Sequence, residues 1–184
     1  MSAVVAQHAI FEGLFVKALR ASGPLKDSLR RCGFDADVPR SHYPLEIWEA
    51  CLDAARAELH PEKSREEACR ELGRRFTHGY FETLVGRMIS KTLPFLSPKA
   101  FVARIPHFVG TGLKGTTFDV VWEDETTALL TMNGTGQHGT HLLAGVVESA
   151  LVHLRVAGKV EAEIVSPAVA TLRISLPLGD RRLI

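Results

Sequence analysis

The chain has 184 residues, a formal net charge of +1, and 46% hydrophobic against 23% charged residues. That is the balance of an ordinary globular protein, and the length predicts one domain, residues 1–184, with a core of its own. The near-zero net charge gives no bulk attraction to nucleic acid or an anionic membrane, and no apolar run reaches the roughly 18 residues of a membrane helix.

The first part, about 3–110, reads as helical. Phe11, Leu14, Phe15, Ala18 and Leu19 recur at helical spacing until Ser22-Gly-Pro24. Pro24 opens a short helix, PLKDSLRRC, that ends at Gly33, and FDADVPRSHYP reads as a loop. A third helix starts at Pro44, puts Leu45, Trp48, Cys51, Leu52, Ala55 and Leu59 on one face, and stops at His60-Pro61. The longest helix is predicted from about Ser64 to Leu93, with Ala68, Leu72, Phe76, Leu84, Val85, Met88 and Ile89 in its buried stripe. Its Gly73, Gly79 and Gly86 each cost roughly 1 kcal/mol against alanine, so they signal either a close helix neighbour or a kink beside a pocket. Ser97-Pro98 caps a further short helix, KAFVARI, expected to end before Pro106.

From Lys114 the period changes to two. Phe118, Val120 and Trp122 alternate with polar neighbours, EDET turns the chain, and Thr126 to Met132 returns as a strand. After NGTGQHGTHLLAG, a helix presents Leu142, Leu143, Val146, Val147, Ala150, Leu151 and Leu154, and two more strands flank Ser166-Pro167-Ala168. Helices followed by β-β-α-β-β, at about 116–176, predict an α+β fold with a helical N-terminal half packed on a small antiparallel sheet.

The glycine-rich loop matches G-x-G-x-x-G through Gly134, Gly136 and Gly139. A dinucleotide site needs a parallel β-α-β unit with an acid at the carboxyl end of the second strand. Glu161 and Glu163 sit at the start and middle of theirs, and the strand before the loop reads as a hairpin arm. No Gly-Lys-Ser/Thr follows, which excludes a Walker loop. His138 and His141 are a candidate metal pair with His107 as a conceivable third ligand, but no cysteine lies near in sequence. The remaining reading is a sharp strand-to-helix turn that Thr140 could cap. No G-x-S-x-G elbow, Cys/His arrangement or paired carboxylates suggest catalysis. Cys32, Cys51 and Cys69 show no CxxC spacing and MSAVVAQHAIFEG has no leader-like apolar core, so reduced thiols and a cytoplasmic protein are expected.

LRRCGFDADVP, YPLEIWEACLDAA, ACRELGRRFTHGYFETLVGR and HLLAGVVESALVHLRVAGKVEAEIVSPAVATLRISL together resemble an uncharacterised, paralog-rich family of myxobacterial proteins, over roughly Phe11 to Leu176. The order of helices, hairpin, LLxGVxxxAL helix and second hairpin is distantly similar to 4-vinyl-reductase domains, haem nitric-oxide-binding domains and TRAPP subunits. That resemblance implies an apolar cavity between helices and sheet, used for haem, an acyl chain or a small aromatic effector, and a homodimer. The Tyr-x-Ser-x-Arg haem clamp is missing, as are the clustered cysteines of the vinyl-reductase type, so no cofactor is expected. Cys69 falls where some relatives carry an acylated cysteine, although a buried free thiol is the commoner meaning.

The leading expectation is therefore a non-enzymatic ligand-binding or regulatory module. Phe11, Phe15, Phe76, Tyr80, Met88, Phe101, Leu142 and Val146 are candidate pocket walls, and Arg104 and His107 a candidate polar gate. For any single one of these residues, simple filling of the core is the commoner outcome. The alternative is an interaction module that pairs with itself or a signalling protein. A void on the order of 300 Å³ would favour the first, and a filled core with a large apolar surface patch the second.

Overall fold

The computed structural model describes residues 4–166 and 168–178, so the first three residues and Pro167 of the second predicted turn lie outside the described residues. The architecture is α+β, with seven α-helices and two antiparallel sheets among the described residues. No described helix is long and apolar enough to cross a membrane.

The N-terminal half opens with β1 (Val5–Gln7) and α1 (His8–Phe11), which runs on as a π-helix over Glu12–Ala18. Then follow α2 (Gly23–Arg31), β2 (His42–Pro44) and α3 (Leu45–Leu59). Gly33 has φ 101°, the left-handed turn that closes α2 where predicted. β1 is the centre of a three-stranded sheet, order β2-β1-β3, with β3 at Leu113–Lys114. These strands have two or three residues, too few for an alternating pattern, so the stretch expected to be only loop ends in β2.

The predicted helix from Ser64 to Leu93 is in fact two helices. α4 spans Arg65–Glu82 and α5 spans Leu84–Thr92, with a 3-10 turn at Leu93–Phe95. A capping box starts α4: the Glu67 amide donates to Ser64 Oγ at 3.2 Å, and the Ser64 amide donates to the Glu67 carboxylate at 3.2 Å. The break falls at Thr83, which is extended (φ −73°, ψ 162°) and buried. Its hydroxyl donates to the Tyr80 carbonyl at 2.7 Å and accepts from the Gly86 amide at 3.0 Å, so one side chain ends α4 and caps α5. Gly86 passes so close over the Tyr80 carbonyl that a Cβ would overlap it. The break resets the helical phase. Val85 and Ile89 still face inward, but Leu84 and Met88, expected in the buried stripe, point to solvent.

Gly73 and Gly79 mark close helix packing. A Cβ on Gly73 would overlap the Leu142 carbonyl of α7 (Gly136–His153), and one on Gly145 would overlap the Arg70 carbonyl of α4. The two helices thus cross backbone to backbone. The Thr77 hydroxyl donates across the crossing to the Val146 carbonyl at 3.3 Å, and Arg74 Nε donates to Glu148 at 3.0 Å. Gly79 meets the π-helix backbone at Gly13 and Ala18 in the same manner. α6 runs from Pro98 to Gly110 and does not stop before Pro106 as expected. Pro106 removes one backbone donor but does not end the helix, because Phe101, Val102 and Ile105 anchor it by burial.

The second sheet joins β4 (Thr117–Trp122), β5 (Thr127–Asn133), β6 (Lys159–Ser166) and β7 (Val169–Ser175) in the order β4-β5-β7-β6, every pair antiparallel. Asp124 holds the β4–β5 turn by accepting from the Thr126 and Thr127 amides at 2.6 and 2.7 Å, which keeps its carboxyl far below the usual carboxylate range. Ala128, Leu130 and Met132 of β5 and Ala170, Leu172 and Ile174 of β7 alternate inward beneath α6 and α7.

Two apolar cores result. One lies between this sheet, α6 and α7. The other is aromatic and gathers Phe11, Phe15, Phe34, Tyr43 and Trp48 beside α4. α7 separates them, with Leu143 and Val147 in the sheet core and Leu142 in the aromatic one.

Candidate functional site

Where the two cores meet they do not close completely. A cavity of about 120 Å³ remains, lined by Phe76 and Tyr80 of α4, Ile89 and Leu93, Phe101 and Ile105 of α6, and Leu142, Val146 and Val147 of α7. It is smaller than the roughly 300 Å³ that common ligand pockets reach. It is close to the engineered cavity of about 150 Å³ that stays dry and takes benzene in another protein.

Five of the ten sequence-proposed residues meet here: Phe76, Tyr80, Phe101, Leu142 and Val146. Phe11 and Phe15 are fully buried in the aromatic core instead, with ring centroids 5.0 and 5.5 Å from Trp48. Trp48 itself reaches the cavity, so they support a wall without forming one. Met88 is 69% exposed because of the phase reset at Thr83. Arg104 and His107 lie on the outer face of α6, away from buried Phe101 and Ile105, and make no gate. Ile105, Phe108 and Val147 line the cavity but were not singled out. Phe108 lies beyond Pro106, in the part of α6 that the sequence placed outside the helix.

The lining carries few polar groups. Thr77 spends its hydroxyl on backbone carbonyls. The Tyr80 hydroxyl lies 3.2 Å from Thr111 Oγ1, which itself donates to the Phe108 carbonyl at 2.6 Å, so Tyr80 is the donor of that pair. Thr135, just before α7, makes no side-chain hydrogen bond among the described residues. No charged side chain, imidazole or thiol is part of the lining. Among the described residues no three His, Cys, Asp or Glu side chains gather as a metal site.

The glycine loop has φ of 77° at Gly134 and 73° at Gly136, conformations that favour glycine. β5 and β6, on either side of α7, are not neighbours, and all pairs in their sheet are antiparallel, so the parallel unit of a dinucleotide site is missing. Thr140 does not cap α7. Thr135 occupies that position, and Thr140 is buried inside the first turns with no partner for its hydroxyl.

The start of α7 also assembles a grouping the sequence did not reveal. His138 Nε2 lies 3.0 Å from Asp53 Oδ2 of α3, and His138 Nδ1 lies 3.7 Å from Cys69 Sγ of α4. The order Cys-His-Asp is that of a thiol nucleophile with its base and orienting group, but the electrostatics oppose the role. Burial, and then the Asp53 charge, push the Cys69 thiol up to about 11, so it stays protonated near neutrality. The group ties three helices together.

Two other histidines should make the stability depend on pH. Burial pushes the His60 and His141 imidazoles below their ordinary 6.5. As pH falls through about 6.5 the unfolded chain takes up protons that the native chain resists, so stability is full above that pH and declines below it. The melting temperature should drop between about pH 7.5 and 5.5. It should drop less in the double variant His60→Gln/His141→Gln. A melting temperature that is flat or rises towards acid contradicts this assignment.

The fold has counterparts among solved structures. An H-NOX protein from S. oneidensis, in the Fe(II)NO ligation state, matches with a TM-score of 0.69 at 12% identity, covering 93% of this chain and 99% of that one. A Cs H-NOX mutant carrying 4-cyano-L-phenylalanine gives 0.68 at 12% identity, over 92% and 96%. The Fe(II) unliganded H-NOX protein from K. algicida gives 0.66 at 12% identity, over 93% and 96%. At such identities the likeness is one of fold. No curated protein matches the sequence. The model of the family described as "Protein of unknown function (DUF2378)" matches residues 4–175. The chain therefore belongs to the DUF2378 family and carries an H-NOX-like fold.

Proposed function

We propose that the chain is a non-enzymatic, sensor-like module that binds a small, uncharged, apolar molecule at the seam of its two cores. The cavity carries this reading. Its walls come from α4, α6 and α7 at once, so a guest there touches elements of both cores. A charged ligand would enter without a counter-charge, at a cost that apolar walls do not offset. The volume suits a benzene-sized guest better than a long acyl chain. Phe76, Tyr80, Phe101, Leu142 and Val146 are the contact residues in this proposal.

The structural neighbours raise the question of haem, and the residues here do not fit it. Haem iron is held by His, Cys, Met or Tyr. The lining offers only Tyr80 of these, and its hydroxyl is spent on Thr111. The volume of about 120 Å³ is also far below that of ordinary small-molecule pockets. The test is a melting series with benzene, with haem and NAD as comparators. Benzene at about 100 times its Kd should stabilise the protein by about 2.7 kcal/mol, and the comparators should give no saturable shift. A saturable response to haem with none to benzene would overturn the proposal.

Further parts of the reading are a single domain over the whole chain, a cytoplasmic setting suggested by three free cysteines, and wider kinship with vinyl-reductase and TRAPP-type domains. A homodimer rests on the frequency of two-fold homomers. Gly73 and Gly79 of the long helical stretch meet other helices of the same chain, so they give the dimer no support. Sedimentation at about the 20.2 kDa of one chain would remove the dimer.

A further inference from the structure

α5 has two apolar sides. Val85, Ile89 and Leu93 turn towards the cores and the cavity. Leu84, Met88 and Phe95 are 80%, 69% and 88% exposed. With Lys91 they follow one another at helical spacing along α5 and the 3-10 turn, and Arg87 lies beside Met88, so the outer stripe alternates large apolar and basic groups. Exposed apolar residues usually stand singly, whereas these three align on one short segment.

The sequence that follows them is one-sided in charge. Between Glu82 and Asp119 the sequence holds Arg87, Lys91, Lys99, Arg104 and Lys114 and no acid, in a chain of 22 Lys and Arg against 21 Asp and Glu. All five bases are exposed. Arg87, Lys91 and Arg104 have no ion-pair partner among the described residues, while Arg70 and Arg74 of α4 are paired with Glu148. The near-zero net charge hides this segregation.

We propose that the outer stripe of α5, with Phe95, docks on an anionic lipid surface. A helix with basic flanks and projecting Leu, Met and Phe side chains suits the boundary between headgroups and acyl chains, where anionic lipid attracts the bases. A second copy of the chain is a poor occupant. Pairing α5 with α5 would set Arg87 and Lys91 against like charges, with no acid in the segment to meet them. Phe95 also projects from the 3-10 turn at Leu93–Phe95, with most of its ring in solvent. A fluid interface moulds around such a group, whereas a folded partner needs a matching pocket.

Flotation of the full chain with vesicles tests this. Vesicles of phosphatidylcholine with about one-third phosphatidylserine should bind it, and phosphatidylcholine alone should not. Raising salt from about 0.1 to about 0.5 M should weaken binding several-fold. The triple variant Leu84→Ser/Met88→Ser/Phe95→Ser and the double variant Arg87→Glu/Lys91→Glu should each lose at least about tenfold. Because these side chains are exposed and outside the cavity lining, both variants should keep their melting temperature and benzene binding. Retained flotation in both variants, equal binding to neutral vesicles, or no vesicle binding would overturn the proposal. So would capture of α5 by an acidic protein in its place. Each result leaves the cavity reading untouched.

Discussion

Phe76→Trp should weaken benzene binding by more than about tenfold and leave the fold intact. Phe76 is buried and stacks on Tyr80, with ring centroids 5.0 Å apart and planes 23° apart, on a wall of the cavity. Phe76 lines the void of about 120 Å³, which offers the larger indole space to fill. Filling empty space recovers contacts, so the usual overpacking cost of about 1–3 kcal/mol is an upper bound here. Benzene affinity should fall by more than about tenfold, since even about 1.4 kcal/mol of lost contact has that effect. Unchanged affinity in a folded variant would place the guest elsewhere.

Gly145→Val should be among the most destabilising single substitutions in the chain. The new Cβ would collide with the Arg70 carbonyl and crowd the Arg74 amide, both rigid backbone of α4. Relief requires α7 to move away from α4, which breaks the Thr77–Val146 hydrogen bond and the Arg70 and Arg74 pairs with Glu148. It also opens the cavity wall at Leu142 and Val146. A loss of more than about 4 kcal/mol is expected in a denaturant titration, the range of severe core disruption. The control Gly110→Ala, where nothing lies near the added Cβ, should change stability by less than about 1 kcal/mol. Equal stability of the two variants would show that the crossing is loose.

The larger elements were legible because each repeats its short period over a long run. α3, α7 and the four strands of the larger sheet announce themselves over six or more residues each. The three-residue strands β1 and β2 carry no such signal, and they form only because distant segments meet. The break at Thr83 was hidden because α4 and α5 both read as helix, and one hydroxyl serving both ends has no periodic trace. That single residue sent Leu84 and Met88 outward. Phe76, Tyr80, Leu142 and Val146 were readable as inward positions of helices that did prove to face each other. Phe11 and Phe15 were equally readable as inward, but the sequence could not say which of two cores they enter. The Cys69, His138 and Asp53 grouping joins three separate helices and has no local spacing to betray it.

The proposed function stands or falls with the seam between the cores as a binding site for a small apolar guest. A crystal structure of the protein soaked in benzene would show whether it is one. Ordered density is expected for one benzene enclosed by Phe76, Phe101, Leu142 and Val146, with Tyr80 still bonded to Thr111. A seam that stays empty or holds ordered water under benzene saturation, or benzene bound only at the surface, would contradict it.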